Sequence, residues 1–263
     1  MLADGDEPVG RIGYWSTPEE QDDLRIFGLV LPWSRTDVVN LGVQLVKASL
    51  QRINGYQSVG ALIDSGEPES FQARKEIMEN SGLELTQAKR RLSLKRTSFQ
   101  QQDTNRLEFR SLDRVGEEAF IEAIRRVSHL SLDREDRRSA QELGEEEAAR
   151  QHFQILKSIE YVPERWQLGY NGTGQLVGLV VLQQEQDTGT GIINYIGVVP
   201  EERGNGYVLD LLAHGVSVLF GQGFPEIIAD IDVDNFPMEL ALQDLGFVQD
   251  DEILRYKLTI DTP

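Results

Sequence analysis

The apolar positions change period several times along the second half of the chain. Leu107 to Leu112 has strand character, and Phe120, Ile121, Ile124 and Val127 then recur on one face of a helix expected at about 117–130. Residues 133–147 are almost wholly charged or small, and a second amphipathic run follows through Phe153, Ile155, Leu156 and Ile159. Strands are predicted near 165–170 and 175–183, joined by the turn Asn171-Gly-Thr-Gly174, and near 192–199 after the glycine-rich turn 187–191. A helix over about 204–221, a strand at 226–231, a short helix at 238–245 and strands near Phe247 and over 253–260 complete the pattern. Strands and helices alternate without a regular βα rhythm, which predicts an α+β fold: a mixed, mostly antiparallel sheet flanked by helices.

The first third of the chain repeats the last third. With a shift of 168, Val9-Gly10 falls on Val177-Gly178, Pro32 on Pro200, Arg35 on Arg203, Gly55-Tyr56 on Gly223-Phe224 and Ile63-Asp64 on Ile231-Asp232. Four extra residues then bring Gly82-Leu83 onto Gly246-Phe247. The chain therefore reads as a tandem. A partial module spans 1–96, a polar linker 97–105 (Thr-Ser-Phe-Gln-Gln-Gln-Asp-Thr-Asn), and a complete module 106–263. The copy lacks a first half: Ala3 to Pro8 falls where a turn is due, with nothing ahead of it to supply the first strand and two helices. Either the module is half-sized or the natural chain begins upstream. Such a module leaves sheet edges open, and they need the second module, another chain (a homo-oligomer among the options) or further residues to cover them.

The composition narrows the chemistry. No apolar run approaches the ~18 residues that span a bilayer, and the acidic N-terminus is not a secretory signal, so the cytoplasm is the expected location and no membrane partner is expected. The absence of cysteine excludes disulfides and a thiol nucleophile, and the three scattered histidines predict no metal site. Residues 1–96 hold 12 Lys+Arg and 14 Asp+Glu, so all but −2 of the net charge of −18 lies beyond them. That surface repels nucleic acid and favours a cationic small molecule or a protein amine. A solubilising acidic face accounts for it equally well.

One segment stands apart: Val198-Val-Pro-Glu-Glu-Arg-Gly-Asn-Gly-Tyr-Val-Leu-Asp-Leu-Leu212. A β-branched strand ends at a proline, and a glycine turn leads directly into a helix. The free N–H groups and dipole of a helix start attract anions, and Gly204 and Gly206 let a ligand approach the backbone. Arg203 adds a charged donor for a phosphate. No Gly-Lys-Ser/Thr ending and no Gly-x-Gly-x-x-Gly is present, so neither a P-loop nor a Rossmann site fits.

The run Arg203-Gly204-Asn205-Gly206-Tyr207-Val208 resembles the Arg/Gln-x-x-Gly-x-Gly/Ala signature of the GNAT superfamily of acyl-CoA-dependent N-acyltransferases, departing at Val208. Asn235-x-x-Met238-x-x-x-Leu242-x-x-x-Gly246-Phe247 resembles that family's second block, with Met238 and Leu242 standing where alanine and tyrosine are usual. The resemblance implies acetyl-CoA as co-substrate, with its pyrophosphate on the amides following Arg203 and its pantetheine arm along a splayed strand ending Val198-Val199. Val198, Val199, Arg203, Gly204, Asn205, Gly206, Tyr207, Val208 and Asn235 are the implied coenzyme contacts. An amine would attack the thioester directly, with the backbone N–H of Val198 polarising its carbonyl. Leu242 cannot protonate the departing thiolate; a water or Tyr195 is the substitute. Asp232 and Asp234 are the nearest candidate bases, each equally a loop cap. Asn235 is a helix cap, a ligand contact, or both. At the matching place the first module reads Pro32-Trp-Ser-Arg-Thr-Asp-Val-Val39, without glycines, and is not expected to bind coenzyme A. An active N-acetyltransferase, a catalytically weak acyl-CoA-binding or regulatory protein, and a scaffold are the readings left open.

Overall fold

The computed structural model describes residues 2–4, 7–16, 23–99, 106–185 and 188–260. The elements are β1 (Leu2–Asp4), β2 (Glu7–Trp15), β3 (Asp23–Val30), α1 (Val38–Leu50), β4 (Ser58–Asp64), α2 (Pro68–Asn80), β5 (Glu84–Lys95), β6 (Glu108–Ser111), α3 (Leu112–Val115), α4 (Glu117–Ser128), α5 (Arg134–Leu143), α6 (Glu145–Ile159), β7 (Trp166–Tyr170), β8 (Leu176–Gln184), β9 (Gly191–Val198), α7 (Tyr207–Gly221), β10 (Glu226–Asp232), α8 (Phe236–Asp244) and β11 (Val248–Thr259). Two compact units result: residues 1–89 with 251–263, and residues 90–250. The division differs from the expected 1–96, 97–105 and 106–263, because it falls inside β5 and β11. Most of the expected linker, residues 100–105, lies outside the described residues.

The repeat is visible in the element boundaries. Adding 168 carries β3 onto β9 and β4 onto β10 without remainder, and adding 164 carries β5 onto β11. In the first unit β2 and β3 pair antiparallel and β3 and β4 parallel; in the second β8 and β9 pair antiparallel and β9 and β10 parallel. The short β1 pairs with β2 as β7 does with β8, so the first unit begins with a strand where the sequence pattern predicts a turn.

The first unit is completed by the last strand of the chain. β11 pairs antiparallel with β4 from Ile253↔Asp64 to Thr259↔Ser58. Leu254 and Tyr256 of that strand are buried, and the Tyr256 hydroxyl donates to Glu79 at 3.0 Å. The sequence pattern had assigned this strand to the second module. In the second unit, residues 90–95 of β5 stand next to β10, with Arg91 forking onto Asp230 at 2.8 Å for both bonds.

The second unit has two apolar layers. On one face of its sheet Val180, Leu182, Leu212, Val216, Leu219 and Leu242 pack together under α7 and α8. On the other, Phe120, Ile124, Phe153, Leu156, Trp166 and Leu179 form a core beneath α4 and α6. Covering on both faces explains the unbroken burial of β8 from Val177 to Gln183. Residues 133–147, which carry no apolar signal, form α5 and the start of α6. Asp133 caps α5 by accepting from the amides of Glu135 and Asp136.

Candidate functional site

β9 and β10 are the parallel pair at the centre of the second unit, and they separate early. Their register is Ile227↔Gly191 and Ile228↔Ile192, whereas β9 continues to pair with β8 as far as Gly178↔Val198. Val199 N–H donates to Val177 O of β8 at 2.9 Å. Backbone groups alternate along a strand, so the N–H of Val198 faces the opposite, opened edge. That is the edge on which a bound chain can pair.

A single 3-10 turn, Pro200–Glu202, then leads to the glycine turn. Gly204 and Gly206 sit at φ of 81° and 73°, a left-handed conformation that favours glycine. α7 starts at Tyr207 with no side-chain cap on its amides. A β-carbon built on Gly204 meets nothing within 4 Å. The helix start is thus an uncovered set of donors with space before it, which is what an anion requires.

Two arginines frame this turn in different ways. Arg203 does not project into the space before α7. Its Nε donates to Val198 O at 3.0 Å, Nη1 to Leu130 O at 3.1 Å, and Nη2 to Val127 O and His129 O at 2.9 and 2.8 Å. The side chain expected to pair with a phosphate is spent on carbonyls left unpaired at the end of α4 and on the last residue of β9. Arg106, which the sequence pattern does not single out, is the cation at the turn itself. It donates to Asn205 O at 3.0 Å and to Asp210 Oδ1 at 3.2 Å, and lies over the Tyr207 ring at 4.7 Å. Asp210 is buried in the first turn of α7, so Arg106 neutralises a carboxylate that would otherwise oppose an anion there.

The carboxylates at the end of β10 are less free than their sequence position suggests. Arg134 donates to Asp234 Oδ2 at 2.6 Å and approaches Asp232 Oδ1 at 3.8 Å. Asp232 is fully buried, and its Oδ1 accepts from the Asp234 amide at 3.2 Å, a loop-capping role. Its Oδ2 has no partner among the described residues. Asn235 caps α8 by accepting from Met238 N–H at 3.4 Å. Leu242 lies wholly inside the core.

Tyr195 belongs to a cluster that sequence reasoning missed. Its hydroxyl donates to Asp136 Oδ2 at 3.3 Å, and its ring lies 4.3 Å from that of His152. His152 Nδ1 is 3.6 Å from Asp136 Oδ1. Burial works to raise the Asp136 carboxyl, but His152, Ser131 and Tyr195 more than offset it and hold it below its ordinary value. Burial, reinforced by the Asp136 charge, holds the Tyr195 phenol well above its ordinary value. Asp136 and His152 lie on α5 and α6, in stretches with charged and amphipathic patterns, where nothing in one dimension marks their meeting with β9.

In the first unit, the counterpart of the glycine turn is closed. Arg35 forks onto Asp37 with both bonds at 2.8 Å, and Val38 opens α1. The position before the helix carries a carboxylate.

Comparison with known proteins agrees with this geometry. The acetyltransferase (GNAT) family description fits residues 129–247, which take in β9, the glycine turn, α7, β10 and α8. Over those residues the chain is similar to GNAT acetyltransferases. A mycothiol acetyltransferase from Streptomyces bingchenggensis (strain BCW-1) is 32% identical over 95 residues, which is 36% of this chain and 30% of that protein. The chain thus matches under a third of that relative's length. Among solved structures, a GCN5-related N-acetyltransferase from Sphaerobacter thermophilus superposes with a TM-score of 0.66 at 18% identity, over 97% of this chain and 78% of that one. A tandem GNAT protein from the clavulanic acid biosynthesis pathway superposes with a TM-score of 0.54 at 15% identity, over 99% and 82% of the two chains. These likenesses are of fold: a tandem GNAT-like arrangement, partial in the first unit and complete in the second. Among the described residues no helix is long and apolar enough to cross a membrane, and no group of three or more acidic or histidine side chains is placed to hold a metal.

Proposed function

We propose that the chain transfers an acetyl group from acetyl-CoA to an amine by direct attack, using the GNAT domain. The observation that carries this reading is the uncapped start of α7 at the point where β9 leaves β10. The amides from Gly204 to Val208 would hold the pyrophosphate, and the open edge at Val198-Val199 would pair with the pantetheine arm. Val198 N–H would polarise the thioester carbonyl. Arg106 would add positive charge beside the phosphates, and Arg203 would hold α4 against β9. Asn235 would act chiefly as a helix cap.

For the proton of the attacking amine, the His152–Asp136 pair competes with Asp232. His152 is half-buried and reachable, with its ring oriented beside Asp136. Asp232 is fully enclosed and has Arg134 alongside. This favours the histidine as base and Tyr195 as the group that positions it. Leu242 supplies no acid, so a water would protonate the thiolate, a weak base that departs readily. The acceptor is a small polar or cationic amine, which the net charge of −18 attracts; the same charge disfavours nucleic acid. Arg134 screens Asp232 and Asp234, so any steering comes from the wider acidic surface. The cytoplasm suits such a reaction.

The test is calorimetric titration of acetyl-CoA with thioester-cleavage assays over an amine panel. One site per chain is expected. Gly206→Val, a β-branched residue at φ 73°, should abolish it, while Gly206→Asn, which tolerates that backbone, should retain fold and part of the affinity. Two sites per chain, or full binding by Gly206→Val, would refute the assignment. Binding without turnover on any amine would instead favour a regulatory acyl-CoA-binding protein.

A further inference from the structure

Among the described residues, the helices of the first unit cover one face of its sheet. Tyr14 reaches α1 through its bond to Ser49, and Val59, Ala61 and Ile63 of β4 are buried on that same side. Alternation sends their neighbours to the other side, where Trp15, Phe27, Val30 and Leu62 stand 50%, 73%, 44% and 55% exposed. The pairings Trp15↔Arg25, Gly13↔Phe27 and Arg11↔Val30 place these strands' outward residues on one surface. So large an exposed apolar group on one sheet face marks an interaction site.

The repeat shows what kind of element belongs there. Gly13↔Phe27 becomes Val181↔Tyr195 after the shift of 168, and Arg11 becomes Leu179. Leu179, Val181 and Tyr195 lie beneath α4 and α6 of the second unit. The first unit has no described helices in that place. Its own residues at these positions are changed from aliphatic to arginine and glycine, so the missing cover is not a copy of α4 and α6. The face is also basic: Arg11 and Arg25 border Trp15 and Phe27, Arg255 pairs across from Leu62, and Lys257 stands on the same side of β11. Among the described residues the acidic groups on this side are Asp23, 3.6 Å from Lys257 and bonded to Ser58, and, at one end of the sheet, Asp64 and Asp251. Arg11, Arg25 and Arg255, exposed beside these apolar side chains, fit a partner segment that carries carboxylates and disfavour pairing of this face with the same face of a second copy.

We infer that this face of β2, β3, β4 and β11 docks an acidic amphipathic helix of a partner protein. The inference is independent of the acyl-transfer reading. Leucine-like side chains of the helix would cover Phe27, Trp15 and Leu62, and flanking carboxylates would meet Arg11, Arg25 and Arg255.

The experiment uses the full chain and two fluorescein-labelled helical peptides of about 18 residues, with identical leucine faces flanked by glutamate in one and lysine in the other. The glutamate peptide should bind at least about tenfold more tightly, more weakly as salt rises. Phe27→Ser, and Arg25→Ser with Arg255→Ser, should each reduce that affinity about tenfold with unchanged circular dichroism, since all three side chains are exposed. Equal affinity for both peptides, or binding indifferent to these substitutions, overturns the proposal. So does a dimer in sedimentation that Phe27→Ser abolishes and the glutamate peptide fails to displace, because the occupant is then a second copy.

Discussion

Arg203→Ala separates two uses of a signature arginine. Were the side chain a phosphate ligand, its removal would cost coenzyme affinity and leave the fold alone. The structure instead gives it four bonds, to the carbonyls of Val127, His129, Leu130 and Val198, at 2.8–3.1 Å. A bond from a charged donor contributes about 1.5–3 kcal/mol where water is excluded. Arg203 is exposed, however, so water replaces most of what is lost, and the summed effect falls to roughly 1–2 kcal/mol. For a unit of this size that corresponds to a fall of roughly 2–8 °C in its melting temperature. Leu130, held at φ 55° beside this network, should show faster amide exchange together with the end of α4. Arg203→Lys should recover less than half of the loss, because an ammonium cannot fork over several carbonyls. Acetyl-CoA affinity should change by less than about threefold, well under the tenfold that 1.4 kcal/mol would bring. Differential scanning calorimetry, hydrogen exchange and isothermal titration read these quantities on the same samples. An unchanged melting temperature with a tenfold loss of affinity would show that the side chain swings to the phosphates, and the argument from its four bonds would fail.

Three other outcomes follow from the same geometry. His214 stacks on Phe109 with ring centroids 3.5 Å apart, its Nε2 has no partner among the described residues, and burial pushes its pKa down to about 4. The unfolded chain therefore takes up this proton first, so stability should fall as pH drops from about 6.5 towards 4, by up to about 3 kcal/mol; a His214→Phe variant with the same acid sensitivity would show that other groups are responsible. Deleting residues 251–263 removes β11 from the edge of β4, and limited proteolysis should then cut within residues 1–89 well before 90–250, whereas equal resistance of both would contradict the assignment of that strand. His152→Gln should lower kcat at least about tenfold while Asp232→Asn leaves it within about twofold; the reverse pattern would transfer the role of base to Asp232.

Most of the second unit was legible in the sequence, because its elements carry their own periods. The strands from Trp166 to Asp232 and the helices α4, α6 and α7 stand within a few residues of where alternation and helical spacing put them. The repeat was legible too, since equivalent turns and strand ends recur at a constant offset. So was the glycine turn: a left-handed backbone leaves few residue choices, and Gly204 and Gly206 declare it. The charged stretch 133–147 was not, because helices α5 and α6 begin there on capping and acidic first turns, with no apolar stripe. Nor was the fate of the last strand. β11 has the alternation of a strand, but alternation names a face and not a neighbour, and only the completed sheet pairs it with β4. The same holds for the polar groups. Asp136, His152 and Tyr195 are up to 59 residues apart, and Arg106 meets Asp210 across 104. Contacts of that kind are made by the folding of helices onto strands, and a side chain such as Arg203 takes its partners from whichever unpaired carbonyls the fold leaves within reach.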